Sequence, residues 1–340
     1  MQKRILTGVK PTGAPHIGNY LGAIRPALAL AKKHDSFLFI ADLHALTITP
    51  KPAELKEQVY GVAATWLALG VDPKQTVFYR QSDVPEITNL AWLLSCVLPI
   101  GMLERAHSFK DAQGKNVERE DIKHGLYAYP VLMAADILAF DIDVVPVGKD
   151  QKQHLEITQE AARKFNLIYG DGCLKVPEAM IDEQVMTIPG TDGRKMSKSY
   201  GNTIELFGDD KELVKTVKKG IKTDSTEYGL PLKDEGDTVF EIYRLIADPT
   251  RIEAMRRRYQ TGRKDPDGPN DPGNYFGWGD AKGALADLLL EHLGPARAEY
   301  RRLMADRGHL DQLLAEGSDR ARAVAHPILE RCLKAVGLRS

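Results

Sequence analysis

The feature that most constrains this chain is an alternation, through its first half, of short and nearly unbroken apolar runs with stretches of helical spacing. Arg4-Ile5-Leu6, Ser36 to Ala41, Val77 to Arg80 and Asp143 to Val147 read as strands. Between them lie Ile17, Leu21, Ile24 and Leu28 at helical spacing, a helix from Glu54 to Leu69 ended by Gly70, and another from Glu86 to Leu98. A strand that is apolar on both faces must be covered on both, as in a parallel sheet between helices. Strand–helix alternation therefore predicts an α/β fold, a doubly wound parallel sheet.

From about Gly208 the pattern changes. Asp210 to Lys222, Asp237 to Ala247, Arg251 to Tyr259, Asp280 to His292, Ala296 to Met304 and Ser318 to Val336 read as helices, with no strand expected between them. Gly262 to Gly277, rich in Gly, Pro, Asp and Asn, reads as a loop. Ser318 reads as the N-cap of the last helix and Gly337 as its end, with Pro327 bending it or marking a break. The expected organisation is a sheet domain over 1–207, a helical domain over 208–310, and a C-terminal helix over 311–340 that packs back on the first domain.

A chain of 340 residues with 43% hydrophobic and 27% charged residues can bury a sizeable core. Its net charge of -1 argues against a protein that coats nucleic acid indiscriminately, though not against a local basic face. Cys96, Cys173 and Cys332 are far apart, so buried free thiols are expected, and no cysteine-rich metal site. Gly8 and Pro11 follow the start too soon for the apolar region of a signal peptide, and Val131 to Phe140 is too short to span a bilayer. A cytoplasmic protein is expected, with no membrane contact.

Two segments carry chemistry. The first, Gly8-Val9-Lys10-Pro11-Thr12-Gly13-Ala14-Pro15-His16-Ile17-Gly18-Asn19-Tyr20, joins the first strand to the first helix. Ligands of open α/β sheets bind at the carboxyl ends of strands, and amides opening a helix can hold an anion. His16 and Asn19 lie about one turn apart, where both can reach a phosphate or ribose, while Gly13 and Gly18 let a nucleotide approach the main chain. Alone, the segment reads equally well as an ordinary βα turn. The second, Asp192-Gly193-Arg194-Lys195-Met196-Ser197-Lys198-Ser199, sets three cations around two hydroxyls after a Pro-Gly turn. It suits a mobile loop folding over polyphosphate; alone, it reads at least as well as a solvated charge run.

Together, His16-Ile17-Gly18-Asn19 and Lys195-Met196-Ser197-Lys198-Ser199 resemble the two signatures of class I aminoacyl-tRNA synthetases. The resemblance implies a Rossmann-type catalytic domain with an appended all-helical domain. It also implies activation of an amino acid by ATP, with Mg2+ bound through the ATP phosphates, and transfer to tRNA. The amino acid's carboxylate would attack the α-phosphorus, so the protein mainly positions reactants and neutralises charge on departing pyrophosphate.

Tyr129, Met133 and Asp136 are spaced i, i+4, i+7 and share a helix face: an aromatic wall, a soft apolar surface and one acceptor, which is what an indole with one N–H requires. Asp136 alone would read as a cap or an arginine partner. Met133 to Leu138, Val145 to His154 and Ala41 to Thr47 are similar to bacterial tryptophanyl-tRNA synthetases, and the likeness extends over nearly the whole chain.

By that resemblance Asp136, Tyr129, Met133, His44, Val147 and Gln151 would bind L-tryptophan. Lys10, Pro11, Thr12, Gly13, His16, Gly18, Asn19, Gly148, Asp150, Gln151, Met196, Ser197 and Lys198 would bind ATP. Lys195, Lys198, His16, Asn19 and Lys110 would be catalytic. The helical domain, with Lys215, Lys218, Lys219, Lys222, Arg251 and Arg256 to Arg258, would meet tRNA(Trp) in a homodimer. The chain departs from the family pattern in carrying Lys10 for a common Gln, His16 for an occasional Thr, Leu6 for an aromatic and Val131 for a proline. Altered spacing leaves open whether Lys110 or Lys115 reaches pyrophosphate. Competing readings are a tyrosyl-tRNA synthetase, a small-molecule nucleotidyltransferase and a non-catalytic paralogue.

Overall fold

The computed structural model describes residues 2–48, 50–104, 123–147, 152–181 and 187–340. The chain divides into two compact units, one of Met1–Gly13, Ala27–Val185 and Leu303–Ser340, the other of Ala14–Pro26 and Met186–Arg302. Residues 14–26 and 186–207, which the sequence groups with the strands, thus cluster with the helical region.

The first unit is built on a five-stranded sheet ordered β3-β2-β1-β4-β5, with β1 (Arg4–Val9), β2 (Asp35–Ile40), β3 (Val77–Arg80), β4 (Val144–Val147) and β5 (Glu178–Ile181). Every pairing is parallel, as in Leu6↔Phe37, Phe39↔Tyr79 and Val145↔Ala179. β2 is buried at five consecutive positions from Ser36 to Ile40, which is why its sequence is an unbroken apolar run. The fifth strand is absent from the sequence reading because an edge strand of four residues beginning with Glu178 carries no long apolar run. Chain order reverses between β1 and β4, the place where sheets of this kind open a crevice at their carboxyl ends.

The helices are α1 (Ile17–Asn19), which passes through a π turn at Tyr20–Ile24 into α2 (Arg25–Ala31), then α3 (Asp42–Ala45), α4 (Pro52–Ala68), α5 (Pro85–Ser95) and α6 (Ile100–Leu103). They continue with α7 (His124–Leu138), α8 (Lys152–Tyr169), α9 (Asp210–Lys215), α10 (Thr238–Ile246), α11 (Pro249–Thr261), α12 (Trp278–Ala305) and α13 (Arg307–Ala335).

In the first unit, α13 differs from its sequence reading. It begins at Arg307, capped by Asp306 accepting from the His309 amide at 3.1 Å, so Ser318 is interior and not a cap. The Ser318 hydroxyl donates back to the Leu314 carbonyl at 2.8 Å. The Gly317-Ser318 pair looks like a helix start but answers a packing demand. A Cβ on Gly317 would stand 1.7 Å from the carbonyl oxygen of Phe78 in β3, so only glycine lets the helix lie against that edge strand. Buried Leu310, Leu314, Ala321, Ala325, Ile328 and Cys332 form the stripe that holds α13 there, and it stays helical through Pro327.

The second unit is helical, and among its described residues only isolated β-bridges occur. Asp209, Asp237 and Asp248 cap α9, α10 and α11 by accepting from first-turn amides. α12 is continuous through Gly294-Pro295, where the sequence suggests two helices. Its buried Leu285, Leu289 and Leu293 outweigh the backbone bond that Pro295 gives up. The Gly262–Gly277 region has one bridge, Arg263↔Tyr275. The three cysteines are free, but Cys96, expected to be buried, is exposed. No described helix is long and apolar enough to cross a membrane.

Candidate active site

Parallel strands deliver their chain to loops at one end, and there the first unit holds a cavity of about 590 Å³. β1 contributes Leu6, Thr7 and Gly8 to its wall, followed by Lys10; Phe39 and Ala41 come from the end of β2, His44 from α3, and Val145 and Pro146 from β4. α7 lays Tyr129, Met133 and Asp136 against it as the i, i+4, i+7 face of one helix, with Ile137 beside them, while Ala134, Ala135 and Leu138 are buried in the core.

Asp136 is the centre of the polar wall. Only 1% of it is exposed, and both oxygens are engaged. Gln81 Nε2 donates to Oδ1 at 2.7 Å, and His44 Nε2 lies 2.8 Å from Oδ2. Burial pushes the Asp136 carboxyl above the ordinary carboxylate range, while the His44 and Gln81 hydrogen bonds pull the other way. A buried carboxylate without such donors would be costly. On the same wall the Tyr129 hydroxyl lies 3.0 Å from His154 Nε2, and the His44 ring meets Tyr129 edge-on with centroids 6.0 Å apart. Lys10 Nζ donates to Thr47 Oγ1 at 3.2 Å, and burial lowers the pKa of its ammonium.

Both signatures, His16 to Asn19 and Lys195 to Ser199, lie in the second unit, whereas Lys10 to Gly13 belong to the first. His16 and Asn19 cap each other: His16 Nδ1 accepts the Asn19 amide at 3.2 Å, and Asn19 Oδ1 accepts the His16 amide at 3.1 Å. Burial, and then the nearby Lys198 charge, lower the His16 pKa to about 4. At neutral pH the imidazole is therefore uncharged, with its proton on Nε2. Gly18 donates its amide to Met196 Sδ at 3.2 Å, and a Cβ at Gly18 would stand 3.2 Å from Met196 Cβ, so the signatures touch through a glycine and a thioether.

The lysine segment forms a tight hairpin. The Gly190 amide bonds the Arg194 carbonyl at 2.6 Å, and the Met196 amide bonds that of Ile188 at 2.8 Å. Asn202 knots it from below. Its Oδ1 accepts from the Ser197 amide at 2.8 Å, and its Nδ2 donates to Asp192 Oδ1 at 2.6 Å and to the Lys195 carbonyl at 3.1 Å. The Asn202 side chain, and then Arg194, hold the Asp192 carboxyl down at about 2. Met196 is buried, while Lys195 and Lys198 stand exposed at the surface. The Ser197 and Ser199 hydroxyls are 2.8 Å apart.

The structure thus brings together His44, Tyr129, Met133 and Asp136 in one cavity, and His16, Gly18, Asn19, Met196, Ser197 and Lys198 around one hairpin. Pro11 is buried and Thr12 and Gly13 are exposed. Lys110, Lys115, Gly148, Asp150, Gln151 and the Val147 side chain lie outside the described residues. Sequence reasoning overlooks three side chains. Gln81 directly follows β3 and His154 lies within the segment that leaves β4, a positional signal that picks them out once the sheet is known. Asn202 carries no local signal, because its partners are set by the hairpin.

Residues 2–266 match the family model described as tRNA synthetases class I (W and Y). A tryptophan–tRNA ligase of Xanthomonas campestris is 45% identical over 347 residues, covering 100% of this chain and 77% of its own. A tryptophan–tRNA ligase of Bordetella parapertussis is 44% identical over 345 residues, covering 99% of this chain and 74% of its own. Among solved structures, tryptophanyl-tRNA synthetase from Campylobacter jejuni, complexed with ADP and tryptophan, superposes with a TM-score of 0.89 at 40% identity. That match covers 98% of this chain and all of the other.

Proposed function

Since the chain belongs to the class I tRNA synthetases of the tryptophan and tyrosine family, we propose that it is a tryptophan–tRNA ligase, which activates L-tryptophan with ATP, releases pyrophosphate and passes the aminoacyl group to tRNA(Trp). The observation that carries the choice of amino acid is Asp136, a buried carboxylate that receives two donors and lines an otherwise mostly apolar cavity. A carboxylate can only accept, so it suits the one N–H of an indole and is left short of a partner by phenylalanine. Met133, Tyr129 and His44 supply the apolar and aromatic surface around it, with Val147 and Gln151 carried over from the motif.

In the activation step the tryptophan carboxylate attacks the α-phosphorus and the bond to pyrophosphate breaks. Lys195 and Lys198, with Lys110 carried over, neutralise the charge that grows on the leaving group. His16, neutral at physiological pH with Nδ1 occupied, offers Nε2–H to a phosphate oxygen without bringing a second cation beside Lys198. Asn19, Gly18, Met196 and Ser197 hold ATP through the same signatures. Lys10, Pro11, Thr12 and Gly13, with Gly148, Asp150 and Gln151, are assigned to ATP by the motif. The resemblance assigns a magnesium ion to the ATP phosphates. When bound there, the ion neutralises phosphate charge.

The helical region meets the tRNA through its lysines and arginines, and a homodimer accounts for Trp92, 71% exposed on α5, and Ile100, 65% exposed on α6. Amino-acid-dependent pyrophosphate exchange with each of the twenty amino acids tests the assignment. Exchange with tryptophan alone is expected. Exchange with tyrosine instead would move the chain to the other half of its family, and no exchange would make it a paralogue without the activity.

A further inference from the structure

Gln81 follows β3 directly, is 0% exposed, and is absent from every motif by which the sequence is read. The carboxamide has two ends, and the structure fixes which is which. Its oxygen accepts from the backbone amides of Leu43 at 3.2 Å and His44 at 3.4 Å, at the start of α3. Two N–H groups pointing at one atom require that atom to be the oxygen. The other end is therefore the NH2 group, and it donates to Asp136 Oδ1 at 2.7 Å. The partner of a forced donor must be an acceptor.

That constraint passes on to the cavity. A buried carboxyl tends to take up a proton, and a protonated Asp136 would present an O–H as readily as a lone pair. It would then welcome a ring carrying an acceptor, or none, as well as an indole. Gln81 on Oδ1, and His44 on Oδ2 at 2.8 Å, both favour the acceptor-only form and fix the plane of the carboxylate. Each oxygen keeps a further lone-pair direction for a ligand. The same carboxamide also holds the amide of His44, so one side chain orients both polar members of the indole wall.

We infer that Gln81 is a positioning residue for tryptophan selection, setting the hydrogen-bond polarity of Asp136 without touching the substrate. This rests on the reading that the indole N–H is accepted by Asp136. It differs from a purely structural role in one measurable respect: loss of Gln81 must cost the substrate that has an N–H more than an isostere that lacks it.

The test compares kcat/KM in pyrophosphate exchange for tryptophan and for β-(3-benzothienyl)alanine, in which sulfur replaces the N–H. Wild type is expected to prefer tryptophan by roughly a hundredfold or more, as buried polar complementarity does elsewhere. In Gln81→Met the preference should fall at least about tenfold, with KM for ATP within about twofold of wild type. Gln81→Glu, nearly isosteric and so the better guard against misfolding, replaces the forced donor with a second carboxyl that shares a proton with Asp136, so the polarity is no longer fixed and the preference should again fall at least about tenfold. If both variants, melting like wild type, lose the two amino acids equally, Gln81 is structural and the inference is overturned. If wild type itself shows no preference, the placing of the indole at Asp136 fails, and the role of Gln81 with it.

Discussion

The cavity of the first unit and the lysine hairpin of the second present opposite electrostatic arrangements. In the cavity the charge is buried, and its partners are in place before any ligand arrives: Gln81, His44 and the amides behind them. In the hairpin the buried groups are neutral, Met196 and Asn202, and the lysines stand exposed. Selection of a neutral ring by one hydrogen bond demands a fixed acceptor, since the energy difference between right and wrong ring vanishes if the acceptor can rotate or protonate. Neutralising a leaving group demands only that cations reach it, and a tight backbone with exposed amines is enough.

The largest expected effect breaks or keeps that contrast directly. Asp136→Ala should lower kcat/KM for tryptophan on the order of a thousandfold while KM for ATP moves no more than a few fold. Equal losses for both substrates would mean that the cavity is not where the ring binds. Next in size, Lys195→Ala should slow adenylate formation by about a hundredfold in single-turnover measurements. Tryptophan binding measured without ATP should stay unchanged, and parallel loss of both would make the hairpin a structural element. Smaller again, Asn202→Ala should reduce the activation rate roughly tenfold by untying the hairpin, with faster hydrogen exchange at the Ser197 amide that it now bonds. A variant that exchanges like wild type would show the knot to be dispensable.

The mildest test is by pH. Asp136 must be ionised to present acceptors alone, and its pKa is raised, so the tryptophan preference is present at high pH and lost as pH falls through a value above the ordinary carboxylate range. His16 is depressed from 6.5 to about 4. Its contribution to stability is complete above 6.5 and is lost as pH falls from there toward 4, where the folded protein finally takes up the proton. NMR titration of the His16 ring should therefore show no charging between pH 8 and 5. A midpoint near 6.5 would mean that the ring is not buried beside Lys198 as described.

The sheet was legible wherever burial had left its mark on consecutive residues: β2 is apolar because both its faces are covered, and Tyr129, Met133 and Asp136 share a face because a helix has a fixed period. What escaped had its cause elsewhere in the chain. β5 is too short and too near the edge to need an apolar run. Gly294-Pro295 and Gly317-Ser318 carry the composition of helix ends, yet long apolar stripes keep both helices whole. Gln81 and Asn202 are polar residues whose partners lie on other segments, and nothing local distinguishes such a residue from one that faces water. The amino-acid roles rest on a face that periodicity exposes; the constraint on Asp136 comes from where the fold brings Gln81.

Gly317 also has a meaning in time. The edge strand that it covers ends at Arg80, whereas α13 ends at Ala335. At 5–20 residues per second a ribosome needs roughly 10 to 50 s to travel from one to the other. Throughout that interval β3, which carries Tyr79 and leads into Gln81, lacks the helix that later lies against it and offers other chains an open strand to pair with. A nascent chain of this protein thus carries an open edge strand until its last helix is made, and a slow stretch of codons between β3 and α13 would lengthen the hazard.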